Sequence, residues 1–406
     1  MIIDKSSACE LRLSRALRIL LSILFIMVLY HSLINGLGYQ WPHDTFLFQP
    51  GDRFNDWHNA TIAANTGNPY YSHTHAINPY FPLTYFLLDF IPNLTRTYSL
   101  LVYLSLVALL VLVFVYSFSK SECNSSSLTS SLWVKYALLV LCTYPAIFSL
   151  DRGNIDIVIA LLLGVWLFTF TNRNSFLPHS LLALAIALKG YPLIFLFLTF
   201  RQRKYRELFF TIILSCLLFI LPLLYFPGDF QYQLDGFLNS LDLYRETYVV
   251  GKSSLFASSD AYNGIRSLFL ILGYDFDSKS LISNYHIFSF LFLIFTVSFV
   301  IFSRADDFLA YTLFFCVVIF FPDVANDYKL TLAIPVYFYY WLRSDSYPYL
   351  KYLLLLLMIP KSLIFVNGVG LTNLINPILI LSIFFYSLYY FFNIESSSED
   401  TRKKFA

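Results

Sequence analysis

A short stretch near the amino terminus carries the residue types of a proton-transfer site on a sugar. Asp52 and Asp56 lie four positions apart, and Trp57 and His58 follow directly. A carboxylate can act as a general base that takes the proton of an attacking hydroxyl, and aromatic rings can stack on sugars. Tyr70 and Tyr80 follow in the same segment. The alternative interpretation is a solvated loop with interfacial aromatic residues.

Four further polar clusters follow, each beside an apolar run. They are Asp151–Asp156, Lys189–Pro192, Ser258–Arg266 and Pro322–Lys329. An ionisable side chain in the bilayer costs about 2.5–3.5 kcal/mol on insertion scales, which makes it a functional candidate. Simpler interpretations stay open: a helix cap at Asp156, a snorkelling lysine at Lys189, and ordinary turns for the last two clusters.

The composition places these clusters in a membrane protein. Of 406 residues, 58% are hydrophobic and 13% are charged, against about 25% charged in a soluble domain. This excludes a soluble enzyme, and the apolar content excludes a disordered chain. A net charge of +2 gives no case for nucleic-acid binding. Recurrent long apolar runs predict an all-α polytopic membrane protein, with residues 1–406 as a single integral membrane domain.

Basic residues in the connections predict the topology, because they favour the cytoplasmic side. Arg12 to Arg18 place the amino terminus inside, and the tail with Lys403 is also inside. Two long loops, about 37–80 and 227–281, are then external. We expect roughly ten to twelve crossings, with both termini cytoplasmic. Predicted spans are about 16–36, 98–118, 133–149, 155–171, 208–226, 283–303, 308–321, 328–342, 351–365 and 375–391.

Two irregular segments are predicted between the spans. Residues 81–91 are apolar but shorter than the 17–25 residues or so that a span needs, so we expect a short or re-entrant helix. A single span over 179–200 would place the basic run 201–206 outside. A break at Lys189-Gly190-Tyr191-Pro192 resolves the conflict by turning the chain back as a helical pair.

The order of these motifs resembles a known enzyme family. The chain supplies Asp56-Trp57, Gly67-Asn68-Pro69-Tyr70, Tyr80-Phe81-Pro82, Arg152-Gly153-Asn154 and Lys189-Gly190-Tyr191-Pro192 in sequence. This pattern is similar to that of the GT-C glycosyltransferases of family 87, which include polyprenol-phosphate-mannose-dependent α-1,2-mannosyltransferases. The resemblance covers most of the chain in order, although each motif is short.

The resemblance implies a function and a set of site residues. It implies transfer of a hexose, with mannose favoured, from a polyprenyl-phosphate donor to a glycan or glycolipid, with inversion, at the external face of a bacterial inner membrane. A lipid-phosphate donor needs no nucleotide, so we expect no obligatory metal and no cofactor. The expected general base is Asp56, with Asp52 second. Expected phosphate-binding residues are Lys189, Arg152, Arg266 and Lys329, and expected sugar- or acceptor-binding residues are Trp57, His58, Asn154, Tyr70, Tyr80 and Asn326.

Two alternatives from other classes remain at this stage. A lipid-linked oligosaccharide transporter would need charges at mid-membrane depth on several helices, whereas these clusters lie at the outer ends. An O-antigen polymerase or ligase would be expected to use arginines in a large late loop, whereas here the acidic first loop is the prominent feature.

Overall fold

A computed structural model describes residues 5–38, 53–71, 80–90, 96–122, 130–170, 175–250, 258–274, 278–303, 306–322, 324–342, 347–361, 365–366 and 369–403. The described chain is almost entirely helical. Its α-helices are α1 Lys5–Gly36, α2 Asn55–Asn65, α3 Pro82–Asp89, α4 Arg96–Glu122, α5 Ser130–Leu141, α6 Tyr144–Arg152, α7 Asp156–Phe170, α8 Phe176–Leu188, α9 Leu196–Arg201, α10 Tyr205–Tyr225, α11 Phe230–Tyr244, α12 Ala261–Ile271, α13 Ser278–Phe302, α14 Asp307–Phe320, α15 Ile334–Leu342, α16 Pro348–Met358 and α17 Thr372–Lys403.

Shorter elements join these helices. Two 3-10 helices, Tyr191–Phe195 and Asp327–Ala333, precede α9 and α15, and a π-helix, Arg245–Val250, continues α11. Strands β1 Phe365–Val366 and β2 Val369–Gly370 form a small antiparallel pair, with Phe365 opposite Gly370.

Among the described residues, five helices are long and apolar enough to cross a membrane. They are 10–36, 97–121, 205–225, 281–302 and 372–392, and the bent pair α5–α6 would make a sixth. Five shorter apolar helical segments accompany them. The predicted all-α polytopic membrane fold is therefore confirmed, while the number of ten to twelve crossings stays a prediction.

The segment predicted as one straight span over 133–149 is bent by 71° between α5 and α6. The cause lies in the sequence, because Pro145 occupies the first turn of α6. Proline has no N–H to donate within a helix but is well placed in a first turn. The bend turns the end of α6 toward the first loop.

Helix α7 is the central element of the fold. It is apolar on all sides and nearly every side chain along it is buried, as expected for a helix surrounded by protein. It packs against α4, α8 and α15. Gly164 permits the close approach of α4, because a Cβ there would lie 2.4 Å from the Phe114 ring.

The predicted break after α8 is present. Helix α8 ends at Leu188, whose carbonyl accepts a hydrogen bond from Thr84 Oγ1 at 3.2 Å. Lys189 contacts Asp156, at the start of α7, whereas Lys204 donates to the carbonyl of Phe170, at its end. Helix α8 therefore runs from the end of α7 back to its start, and the segment from Tyr191 to Arg201 returns to the end of α7.

The two segments predicted as long loops are partly helical. Helix α2 lies within 37–80, and α11, the π-helix and α12 lie within 227–281. Helices α2, α11 and α12 have 11, 15 and 11 residues, fewer than a membrane span needs. The buried face of α12 is largely polar and includes Asn263, Arg266 and Ser267. Residues 39–52, 72–79, 251–257 and 275–277 lie outside the described chain.

Candidate active site

The Asp56 carboxylate is held by the turn between α6 and α7. Asn154 Nδ2 donates to Asp56 Oδ2 at 2.7 Å. Asn154 is itself buried, and its Oδ1 accepts from the backbone N–H of Asp156 at 3.0 Å. Because the amide group is fixed at both ends, it orients the carboxylate.

Local backbone geometry brings α2 to this turn. Phe54, before α2, and Gly153, after α6, both have positive φ, of 55° and 66°. The Phe54 N–H donates to the carbonyl of Asp151 at 2.6 Å. A Cβ at Gly153 would lie 2.8 Å from Trp57 Cβ, so the absence of a side chain there allows α2 to approach α6.

Asp156 joins two residues of the helix break to this turn. Its Oδ2 lies 2.7 Å from Lys189 Nζ, and its Oδ1 accepts from the Tyr191 hydroxyl at 2.6 Å. Lys189 Nζ also reaches Asn154 Oδ1 at 3.4 Å. Asp156 is fully buried, and a buried carboxylate needs such partners. We call Asp56, Asn154, Asp156, Lys189 and Lys329 the site cluster.

A cavity of about 180 Å³ opens beside these residues. Lys189 and Lys329 are the charged residues that line it among the described residues, and aromatic rings supply most of the remaining wall. The lining consists of Tyr80, Phe81, Asn154, Lys189, Gly190, Tyr191, Tyr244, Tyr328 and Lys329.

Both lysines lie against aromatic rings. Lys189 Nζ is 5.4 Å from the centre of the Tyr80 ring and 5.5 Å from that of Tyr328. Lys329 Nζ is 5.7 Å from the Tyr191 ring and donates to the carbonyl of Val324 at 2.9 Å. Cations over ring faces are attracted by the ring quadrupole, so the rings restrain the ammonium groups near the cavity.

The electrostatic surroundings of Asp56 suit a base. Burial raises the pKa of its carboxyl above the ordinary value of 3.8, and the Arg152 guanidinium, the Asn154 hydrogen bond and Lys189 act in the opposite direction. A raised pKa makes the carboxylate a stronger base than an exposed aspartate. Arg152 therefore acts on the Asp56 carboxyl electrostatically. Neither Asp56 nor Arg152 lines the cavity, and Asp56 is connected to its wall through Asn154.

Trp57, Tyr70 and His58 do not line the cavity. Trp57 is directed inward, where its indole donates to Ser99 Oγ at 2.7 Å and packs on Tyr103. Tyr70 lies behind Tyr80, and its hydroxyl donates to the carbonyl of Tyr80 at 3.3 Å. His58 is half-buried on α2 and is not part of the cavity lining. Asp52 lies outside the described residues.

Arg266, which is buried, and Asn326, which is half-buried, do not line the cavity, although Tyr328, the partner of Asn326, does. Arg266 Nη1 donates to the carbonyl of Val249 at 3.0 Å, and Asn326 Nδ2 donates to the Tyr328 hydroxyl at 2.8 Å. The surrounding residues, which we call the scaffold cluster, are Ser258, Ser259, Asp260, Asn263, Asp327, Asn373 and Asn376.

The scaffold cluster ties α12, the segment before α15, and α17 together. Asp260 accepts from the N–H groups of Asn263 at 2.7 Å and Ala325 at 2.8 Å. Asp327 accepts from Ser259 Oγ at 2.5 Å, Tyr144 OH at 2.7 Å and Asn376 Nδ2 at 2.9 Å. Burial raises the pKa of Asp260 to about 6 despite its hydrogen bonds.

Sequence reasoning missed part of the wall. Tyr244, at the end of α11, was placed in a loop, and its helical setting is visible only in the amphipathic spacing of that segment. Tyr191 and Phe81 stand in the quoted motifs, and Tyr328 lies in the cluster Pro322–Lys329, but none of the three was chosen as a site residue. Asp156 was interpreted as a possible helix cap, and its pairing with Lys189 depends on tertiary structure.

Comparison with known proteins gives one match. The sequence model of glycosyltransferase family 87 matches residues 78–325, which is more than half of the chain. No match is found among curated proteins or solved structures. The matched range contains Tyr80, Asn154, Asp156 and Lys189, whereas Asp56 precedes it and Lys329 follows it.

Proposed function

The chain belongs to glycosyltransferase family 87 and is a membrane glycosyltransferase, and we propose that it transfers a hexose from a polyprenyl-phosphate donor with Asp56 as general base. The favoured sugar is mannose, and the acceptor is a glycan or glycolipid. The observation that carries the proposal is the contact of the Asp56 carboxylate with Asn154, whose Nδ2 donates to it at 2.7 Å. Asn154 lines a cavity together with two lysines. Family membership favours this reaction over the transporter and polymerase or ligase alternatives.

The proposed step is a single displacement at the anomeric carbon. The acceptor oxygen forms a bond to C1 while its proton passes to Asp56. The bond from C1 to the phosphate oxygen breaks, and its electron pair leaves with polyprenyl phosphate. Attack opposite the leaving group inverts the anomeric configuration, and a phosphate leaving group needs no general acid.

The two cavity lysines support an anionic donor group. Charge develops on the phosphate as the C1–O bond breaks, and fixed cations stabilise that charge more than they stabilise the ground state. Lys189 and Lys329 are the cavity-lining cations of the described chain. Arg152 is proposed to act on Asp56, and Arg266 is proposed to support the fold.

The aromatic wall supports binding of sugar and lipid. Tyr80 lines the cavity and is the proposed stacking surface for a sugar ring. Phe81 lines it too and packs against Phe219 of α10 and Phe237 of α11. Helix α10 exposes large apolar side chains on its outer face, so a polyprenyl chain is proposed to leave the cavity along this side.

The orientation remains part of the proposal. The charged residues Arg201, Lys204 and Asp307 lie at the opposite end of α7 from the site cluster. By the charge rule that end is cytoplasmic, so the cavity faces outward in a bacterial inner membrane. The whole chain is proposed to act as one membrane domain.

Transfer from defined donors tests the function. Purified protein in nanodiscs is incubated with a membrane glycolipid extract and radiolabelled polyprenyl-phosphate mannose, polyprenyl-phosphate glucose or a nucleotide-linked mannose. We expect label to pass from a polyprenyl-phosphate hexose to an acceptor, with inverted anomeric configuration in the product. Transfer from the nucleotide sugar alone, or no transfer but translocation of an intact lipid-linked glycan across vesicles, would contradict the proposal.

A further inference from the structure

The charged groups at and around the site cluster are the cations Lys189, Lys329 and Arg152 and the carboxylates of Asp56 and Asp156. Two lysines line the cavity, and the buried carboxylate of Asp156 lies 2.7 Å from Lys189 Nζ. Two positive charges and one negative charge leave one positive charge. The negative charge of Asp56 is counted with the positive charge of Arg152, because Arg152 is the strongest of the charged neighbours that act on Asp56.

The donor and the lipid product differ in charge. A sugar phosphate linked to a polyprenol is a phosphodiester and carries one negative charge. The released polyprenyl phosphate is a phosphomonoester. Its second pKa is about 6, so its charge at neutral pH is about −1.5 to −2. A site with one net positive charge neutralises the donor and leaves the product with excess negative charge.

We propose that Asp156 determines donor specificity by lowering the charge of the lysine pair to match a phosphodiester monoanion. This inference rests on the proposed function and deepens it. Asp156 is a positioning and specificity residue, since its carboxylate contacts Lys189 and Tyr191 and does not itself line the cavity. Because the site matches a single negative charge, it should bind the phosphomonoester product less tightly after transfer. It should also bind diphosphate-linked donors less tightly than the phosphodiester.

The contacts of residue 156 allow its charge to be removed while the position of its side chain is kept. Tyr191 OH donates to Oδ1 and Lys189 Nζ to Oδ2. The backbone carbonyl of Asp156 accepts from Thr331 Oγ1 at 3.3 Å. An amide at this position keeps the shape and an acceptor oxygen while it removes the charge. Asp156→Asn therefore isolates the charge.

The experiment compares two lipids that differ by one charge. Short-chain polyprenyl phosphate and its methyl ester are titrated into the protein in nanodiscs at about pH 7.5, where the first is mostly a dianion and the second a monoanion. We expect the wild type to bind the monoanionic methyl ester about threefold more tightly than the mostly dianionic phosphate, as the charge match requires. Asp156→Asn should shift the ratio about tenfold toward the dianion, because a charge interaction at close range in a partly buried site is of that order.

Two further variants keep the test decisive. Tyr191→Phe removes a hydrogen bond to Asp156 but no charge, and should leave the ratio within about twofold of the wild type. Lys329→Gln removes a cation and should shift the ratio toward the monoanion, which tests the charge balance even if Asp156→Asn does not fold.

The outcomes separate this inference from the proposed function. An unchanged ratio in folded Asp156→Asn, or in Lys329→Gln, overturns the charge match even when the wild type transfers sugar from polyprenyl phosphate. The expected ratios in a wild-type protein that transfers no sugar from that donor would overturn the proposed function and leave the charge match standing.

Discussion

The site cluster and the scaffold cluster each contain a carboxylate residue with no exposed surface, Asp156 in the first and Asp260 and Asp327 in the second, but the partners of these carboxylates differ. Asp156 pairs with Lys189 beside a cavity. The side-chain and backbone groups that donate to Asp260 and Asp327 are neutral hydroxyls, amides and N–H groups. Neutral donors fix three segments relative to one another, whereas a cation next to a cavity can also act on a ligand. Burial of charge alone therefore does not identify an active site in this protein.

Loss of Lys189, which lines the cavity, should lower activity more than loss of a lysine at the opposite end of α7. Lys189→Gln removes the cation nearest the Asn154 amide, and we expect kcat/KM for the lipid-phosphate donor to fall by about 10²-fold, because charge-assisted bonds to phosphate are the strong ones. Lys204→Gln, at the far end of α7, is the matched control and should stay within about twofold. Equal losses in both variants would show that the lysines serve the fold alone.

Two buried asparagines provide a direct comparison of the clusters. Asn154→Ala removes the donor to Asp56, and should lower kcat by about tenfold to a hundredfold as the base loses its orientation. Asn373→Ala removes the acceptor of the Ser258 N–H, 2.8 Å away, and should lower the free energy of unfolding by about 1–3 kcal/mol with little change in kcat. Thermal unfolding in detergent and initial rates at a low temperature measure both. The reverse pattern would exchange the functions assigned to the two clusters.

The approach of α2 to the α6–α7 turn should be sensitive to one methyl group. Gly153→Ala places a Cβ 2.8 Å from Trp57 Cβ and 3.0 Å from Phe54 Cα, in addition to a backbone cost of about 1–2 kcal/mol for the left-handed conformation. We expect activity to fall by about tenfold. Gly273→Ala carries a comparable backbone cost at φ +81° with nothing within 4 Å, and should leave activity unchanged. Similar losses in both variants would mean that backbone strain, and not the docking of α2, matters.

The pH dependence of turnover tests the Asp56 carboxylate without a substitution. Asp56 must be ionised to act as a base, and burial raises its pKa above 3.8. As the pH falls through that raised pKa the carboxylate takes up a proton, so kcat should fall by up to about tenfold per pH unit. The decline should begin at a higher pH than an exposed aspartate would give. A flat kcat profile down to about pH 4, in protein that remains folded, would count against Asp56.

The fold could be predicted from the sequence where apolar length and charge determine it. The long spans α4, α10 and α13 and the break at Lys189 follow from hydropathy, proline and the positions of basic residues. The bend at Pro145 was missed because the apolar run continues through it. Helices α2, α11 and α12 were missed because a short amphipathic helix on a membrane protein resembles a polar loop in composition.

The site was partly predictable for a related reason. Asp56, Asn154, Lys189, Lys329 and Tyr80 come together from separate segments. Lys329 was selected by its charge in the last polar cluster, and the other four by motif order. Trp57 was selected with them, but adjacent residues on a helix point in different directions, and its ring packs inward on Tyr103. Arg266 was chosen for its charge, although its donor group is used by the carbonyl of Val249. Pairing in three dimensions decides these cases.

Single-turnover transfer by Asp56→Asn tests the central claim most directly. The substitution keeps the size of the side chain and an oxygen that can accept from Asn154, but it removes the base. We expect the rate of sugar transfer from bound polyprenyl-phosphate donor to fall by about 10²–10⁴-fold, with donor affinity within about threefold of the wild type. Asp235→Asn, an exposed aspartate on α11, should transfer at the wild-type rate. A rate for Asp56→Asn within a few-fold of the wild type would contradict the assignment of Asp56 as the general base.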